Sequence, residues 1–123
     1  MARKPDMVAY CHCGDCRRWT GAPVAAFAAF SPSVLTGLDM NTGRSHAPGV
    51  TRWTCAVCGS PLAAHFDYLQ DQIYVPLGII DQAASLPPVL HSHAGSALPW
   101  LHIQDDAPRA SGTARDSLGA AGT

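Results

Sequence analysis

Apolar and polar positions change over in short runs along this chain, a pattern that favours strands over helices. Residues 7–10 read as a strand entering a cysteine-rich stretch, and 15–20 as a short helical turn closed by Gly21. Residues 24–30 are continuously apolar, which predicts a strand buried on both faces, although four alanines weaken its β-propensity. Ser31-Pro32 ends it. A short strand is expected at 34–38, then a polar stretch with glycines over 41–49. Residues 50–54 and 62–66 read as strands on either side of a second cysteine pair. Turn composition marks 67–71, and 72–77 predicts a strand with Ile73 and Val75 on one face and Tyr74 on the other. Asp81 starts a short helical turn within 78–86 that Pro87-Pro88 stops. Residues 89–93 read as the last strand and 99–103 as a docked segment. Beyond Ala107 no apolar period remains, so a single domain over 1–109 with a flexible tail over 110–123 is expected.

Composition narrows the class. The chain has 123 residues, 47% of them hydrophobic and 14% charged, which is enough for one domain and too little for two. At this size folding buries about two-thirds of the unfolded surface, so a core is feasible without external staples. A net charge of -1 and a sequence pI near 6.6 offer no basic field for a phosphate backbone, so no nucleic-acid partner is expected. No apolar run approaches the roughly 18 residues of a membrane span, and no apolar stretch follows Arg3 and Lys4 as in a secretory signal. The expectation is a cytoplasmic protein with no membrane partner. All 9 acidic residues are Asp. Metalloproteases of the HExxH type and zinc deaminases both need a Glu, so both are excluded.

The 5 cysteines form two clusters. Cys11, Cys13 and Cys16 make C-x-C-x2-C, and Cys55 and Cys58 make C-x2-C followed by Gly59. In this context the pattern reads as metal binding before cross-linking, because a C-x2-C turn aims two thiolates at one point about 2.3 Å from a zinc ion. All five are candidate zinc ligands. Gly14 and Gly59 suit such knuckles, which often need a positive φ.

Beyond the cysteines, the residues resemble the glutathione-dependent formaldehyde-activating enzymes and centromere protein V. The resemblance runs through Cys11-His12-Cys13 with Cys16-Arg17-Arg18, Thr20-Gly21-Ala22-Pro23, and Cys55-x2-Cys58-Gly59-Ser60-Pro61-Leu62. It continues through Gly78, Asp81, Leu86-Pro87-Pro88, His91, Pro99-Trp100-Leu101-His102, Asp105 and Pro108-Arg109. It implies a mainly β fold of several small twisted antiparallel sheets built around zinc knuckles. It also implies bound zinc and a carbon-sulfur lyase that condenses glutathione, as cosubstrate, with formaldehyde or another small aldehyde. The partner implied is a small thiol or thiol adduct. The same resemblance leaves a second class open, a non-catalytic zinc-stapled interaction module.

Enzyme-like members of the family carry a further C-x-C-G upstream, whose thiolates join the later C-x2-C pair in a closed zinc site. No such element stands in the ten residues before Cys11. Three arrangements follow: a start upstream of Met1; one zinc shared by Cys13, Cys16, Cys55 and Cys58; or a three-cysteine zinc on Cys11, Cys13 and Cys16 beside a vestigial knuckle. The resemblance favours one zinc on Cys11, Cys13 and Cys16, whose open position suits chemistry. His12 is then a candidate proton shuttle or supporting group, and Arg17 and Arg18 are candidates to meet the carboxylates of an anionic tripeptide. His91, His93 and His102 read as structural hydrogen-bonding groups, with a fourth ligand or a general acid as the alternative. Trp19, Trp53 and Trp100 read as core or pocket wall, and Asp67, Asp71 and Asp81 as turn and cap residues.

Overall fold

The computed structural model describes residues 4–34, 42–69 and 71–111. Its strands are β1 (Met7–Cys11), β2 (Ala25–Phe30), β3 (Arg44–Ala47), β4 (Val50–Thr54), β5 (Pro61–Phe66), β6 (Ile73–Pro76) and β7 (His91–Ser92), with one α-helix, α1 (Gly14–Thr20). The fold is mainly β. Where the resemblance implied several small sheets, the ladder joins all seven strands in the order β3-β4-β5-β6-β2-β1-β7. Neighbours are antiparallel except β1 and β7, which run parallel.

The expected strand at 34–38 lies outside the described residues except for Val34, which ends a single 3₁₀ turn, and the tail lies outside them beyond Ser111. β3 falls in the stretch over 41–49 read as polar with glycines. Its neighbour in sequence, Pro48-Gly49, turns it back onto β4 with Gly49 at φ 76, so pairing rather than apolar content makes it a strand.

Residues directly opposite each other in a ladder share a face of the sheet. Arg52, Ala64, Tyr74, Ala29 and Met7 are successive partners from β4 to β1. Ala9, Cys11, Ala25, Phe27 and Phe66 therefore share their face, by the two-residue period of the pleat. The opposite face carries Val8, Ala28, Phe30, Trp53, Ala63, Ile73 and Val75, which pack with Ile80 into the main core. β2 sits between β6 and β1 and is covered on both faces, as its unbroken apolar run predicts. α1 covers the first face through Cys16 and Trp19, which pack on Ala25 and Phe27. The helix ends at Gly21, in the left-handed region at φ 73.

Trp100 departs from expectation. It is 63% exposed, neither core nor a wall of the cleft beside Cys11, Cys13 and Cys16. Among the described residues no helix is long and apolar enough to cross a membrane.

The second knuckle is a tight hairpin in which Gly59 N–H donates to the Cys55 carbonyl at 2.8 Å and Cys55 N–H to the Ser60 carbonyl at 2.9 Å. Gly59 holds it at φ 77, and a Cβ there would meet no atom within 4 Å, so only the backbone resists substitution. Gly59→Ala is expected to lower stability by about 1 kcal/mol, seen as a melting point a few degrees lower. An unchanged melting point would contradict the turn.

Candidate metal centre

Three local features bring three thiols to one point. β1 alternation puts Cys11 on the face that α1 covers, and Cys13 caps α1 in extended conformation, its sulfur accepting from Cys16 N–H at 3.3 Å. Cys16 follows on the first turn of the helix, 1% exposed. The Cys11 sulfur lies 3.5 Å from those of both Cys13 and Cys16, and all three sulfurs fall within 4.8 Å of one another. Tetrahedral ligands about 2.3 Å from a zinc ion stand about 3.8 Å apart, so this donor set fits one zinc ion with a fourth position left over.

The thiols resist sharing that space as anions. Hydrogen bonds from Cys11 and Cys16 hold the Cys13 thiol far below the usual range. The Cys11 thiol is pushed up by its hydrogen bond to Cys13, and the Cys16 thiol by its hydrogen bonds to Cys11 and Cys13, with burial adding to both. One thiolate therefore forms readily, and the next two need a cation among them.

The cluster opens into a cleft of about 60 Å³ with apolar walls from Met7, Ala9, Phe27 and Phe66. That is room for a few waters or for the thiol end of a larger molecule together with a small aldehyde. Tyr68 and His93 also line it. Burial, then the charge of the nearby thiols, pushes the Tyr68 hydroxyl up, so it keeps its proton as a donor. His93 is, among the described residues, the non-glycine residue with positive φ, at 51°, and such backbone strain is common beside ligand sites.

His12 is buried between the two ligand positions but does not line the cleft. Its Nε2 lies 2.8 Å from His91 Nδ1, and His91 Nε2 lies 2.9 Å from Asp105 Oδ2. Asp105 in turn accepts from Arg109 at 2.6 Å. A carboxylate only accepts, so when both imidazoles are neutral His91 donates from Nε2, His12 donates from Nε2, and His12 Nδ1 stays bare. That atom is buried without a partner. Burial first, then the neighbouring charges of His91, Arg109 and Arg17, lowers the His12 pKa. His91 thus serves as a hydrogen-bonding group, and His102 stands exposed.

The family model for the glutathione-dependent formaldehyde-activating enzyme matches residues 1–96, most of the chain. The chain belongs to the formaldehyde-activating enzyme family. Membership supports a glutathione-related, formaldehyde-activating function in general terms. No curated protein matches the chain at a significant level.

Within this family member, Cys55 and Cys58 stand apart from the three-thiol group, so the shared Cys13, Cys16, Cys55 and Cys58 site is not formed. Cys58 is exposed and pairs with the Ser60 hydroxyl at 3.1 Å, a hydrogen bond that lowers its thiol pKa. Arg17 and Arg18 lie on α1 against Gly14, next to Cys13, without lining the cleft. Sequence reasoning missed Arg52 and Tyr68. Arg52 lies within the strand expected at 50–54, which assigns it no role, and it is 3% exposed beside Cys16.

Proposed function

We propose that this protein is a carbon-sulfur lyase that joins a small thiol, glutathione in the leading case, to formaldehyde or another small aldehyde. The observation that carries the reading is the three-thiol group at the end of an apolar cleft. Cys11, Cys13 and Cys16 would hold one zinc ion, which supplies Lewis acidity and keeps a bound thiol ionised near neutral pH. An interaction module would need only a closed ion, without a cleft leading to it.

The chain's residues divide the remaining work. Met7, Ala9, Phe27 and Phe66 exclude water around the reacting atoms. The reaction is an addition in which a sulfur lone pair forms the C–S bond and the carbonyl π pair moves to oxygen. That oxygen then takes up the proton the thiol released. Tyr68, a protonated donor in the cleft wall, would meet the oxygen. A cleft of about 60 Å³ leaves the carboxylates of a tripeptide outside, where Arg17 and Arg18 would meet them. His12, bonded to His91, would hold the Cys11–Cys13 loop rather than shuttle protons. Cys55 and Cys58 remain proposed ligands of a second ion.

The domain is taken to run through Arg109. Pro108 and Ala110 exchange backbone hydrogen bonds with His91 at 2.9 and 2.8 Å, which supports an ordered chain through Arg109 and carries it one residue further, to Ala110.

The cobalt-substituted protein tests the reading through its visible spectrum during a glutathione titration. Saturable change in the cobalt bands is expected, followed on formaldehyde addition by the S-hydroxymethyl adduct in the NMR spectrum. Four-thiolate bands indifferent to glutathione would overturn catalysis at this site in favour of the interaction module.

A further inference from the structure

Arg52 is a buried cation that the metal motif does not require. Its position on β4 opposite Ala64 turns it to the face that α1 covers. There Nη2 donates to Asp15 Oδ2 at 2.5 Å and to Cys16 Sγ at 3.8 Å. The guanidinium lies 4.3 Å from the Trp19 ring centre and 5.5 Å from that of Phe66, which shield it from water. Nη1 is buried and makes no hydrogen bond, so the group is aimed by the cluster and the rings and not by a full set of acceptors. A guanidinium is costly to bury with a single, half-exposed carboxylate for company, and that points to a demand from the sulfurs beside it.

We propose that Arg52 is a positioning residue for thiol binding: it fixes the Cys16 sulfur and supplies the positive charge that lets the centre accept a fourth, anionic sulfur. The proposal rests on the reading above, that Cys11, Cys13 and Cys16 hold one divalent ion with an open position. Three thiolates and a divalent cation carry one net negative charge, and a substrate thiolate makes it two. In a site walled by rings and apolar side chains that second charge is opposed strongly unless a cation stands near. Arg52 is that cation. Asp15, with its side chain 44% exposed, offsets part of the charge and sets how much reaches the sulfurs. A neutral fourth ligand adds no charge and has little use for Arg52.

The contrast between an anionic and a neutral ligand supplies the test. Cobalt-substituted protein is titrated with 2-mercaptoethanol, which has no carboxylates for Arg17 or Arg18, and separately with imidazole. Arg52→Gln is expected to weaken 2-mercaptoethanol binding at least about tenfold while imidazole binding moves by less than about threefold. Arg52→Lys, which keeps the charge, is expected to restore most of the thiol affinity. Asp15→Asn is expected to tighten thiol binding about two- to fivefold without touching imidazole. Equal losses for the two ligands in Arg52→Gln would make Arg52 merely structural and overturn the proposal. Should Arg52→Gln fail to take up cobalt, Asp15→Asn decides alone, and unchanged thiol affinity there overturns the proposal. Wild-type cobalt bands that ignore 2-mercaptoethanol would instead remove the open-site reading itself.

Discussion

Cys16→Ser is expected to empty the centre of metal and abolish activity. Cys16 is 1% exposed, so its sulfur cannot be replaced by a neighbour swinging in from solvent. Its sulfur also closes the triangle with Cys11 and receives the Arg52 contact. Structural zinc sites bind with apparent free energies of about 10–16 kcal/mol spread over four ligands, so one ligand is worth about 3 kcal/mol. Its loss lowers affinity on the order of a hundred- to a thousandfold, and a serine hydroxyl, which holds its proton, recovers little. Metal analysis after dialysis should then find well under a tenth of the wild-type zinc at this centre. Cys58→Ser is the matched control. Cys58 lies outside the three-thiol group, so its variant should keep the cleft metal and the thiol response. Loss of the cleft metal in Cys58→Ser with retention in Cys16→Ser would overturn the assignment of the centre.

What could be read from sequence was what is encoded locally. The cysteine triad lies within six residues, and both its ligand count and its meeting point follow from one strand end and one helical turn. Likewise β4 and β5 follow from the short runs on either side of the second cysteine pair, β6 from alternation, and the end of α1 from Gly21. The misses are all long-range. Arg44, Ser45 and His46 have no apolar signal, and β3 exists because β4 lies beside it. Arg52 alternates with Trp53 as a solvent-facing residue should, and only the arrival of α1 over that face buries it, through a partner 37 residues away. The same holds for His12 and His91, which meet across 79 residues. Asp105 lies beyond residues 1–96 that the family model matches, although the resemblance read from the sequence reaches it, and its bond to His91 spans 14 residues. Trp100 shows the converse: a large aromatic residue reads as core or pocket wall from the sequence, and it is 63% exposed.

His91→Leu should cost about 3 kcal/mol of stability, the largest effect expected from any residue outside the metal ligands. His91 is 1% exposed, and both its ring nitrogens are bonded, to His12 and to Asp105, while its ring stacks on Tyr10 at 4.7 Å. Leucine fills much of the volume but leaves His12 Nε2 buried without a partner, and an orphaned buried donor carries its full desolvation cost. Urea unfolding of the two proteins at pH 7 measures the difference, and a loss under about 1 kcal/mol would contradict the network. The same pair of proteins has a pH signature. Burial lowers the His12 pKa below its unfolded value of about 6.5, so the unfolded chain takes up that proton first. Its contribution is complete above about 6.5 and is lost as pH falls from there through the folded value. Asp105 is lowered by its hydrogen bond to His91, so its contribution is complete above about 3.8 and is lost as pH falls through its own folded value. Acid loss of the metal thiolates is common to both proteins and cancels in the difference between them. The wild-type advantage over His91→Leu should therefore be largest near pH 7, begin to shrink below about 6.5 because His91 is one cause of the lowered His12 pKa, and shrink further below about pH 4 as Asp105 takes up a proton and the His91 hydrogen bond loses its charge. An advantage that persists unchanged to pH 2 would mean that His91 stabilises the fold by packing on Tyr10 and not through Asp105.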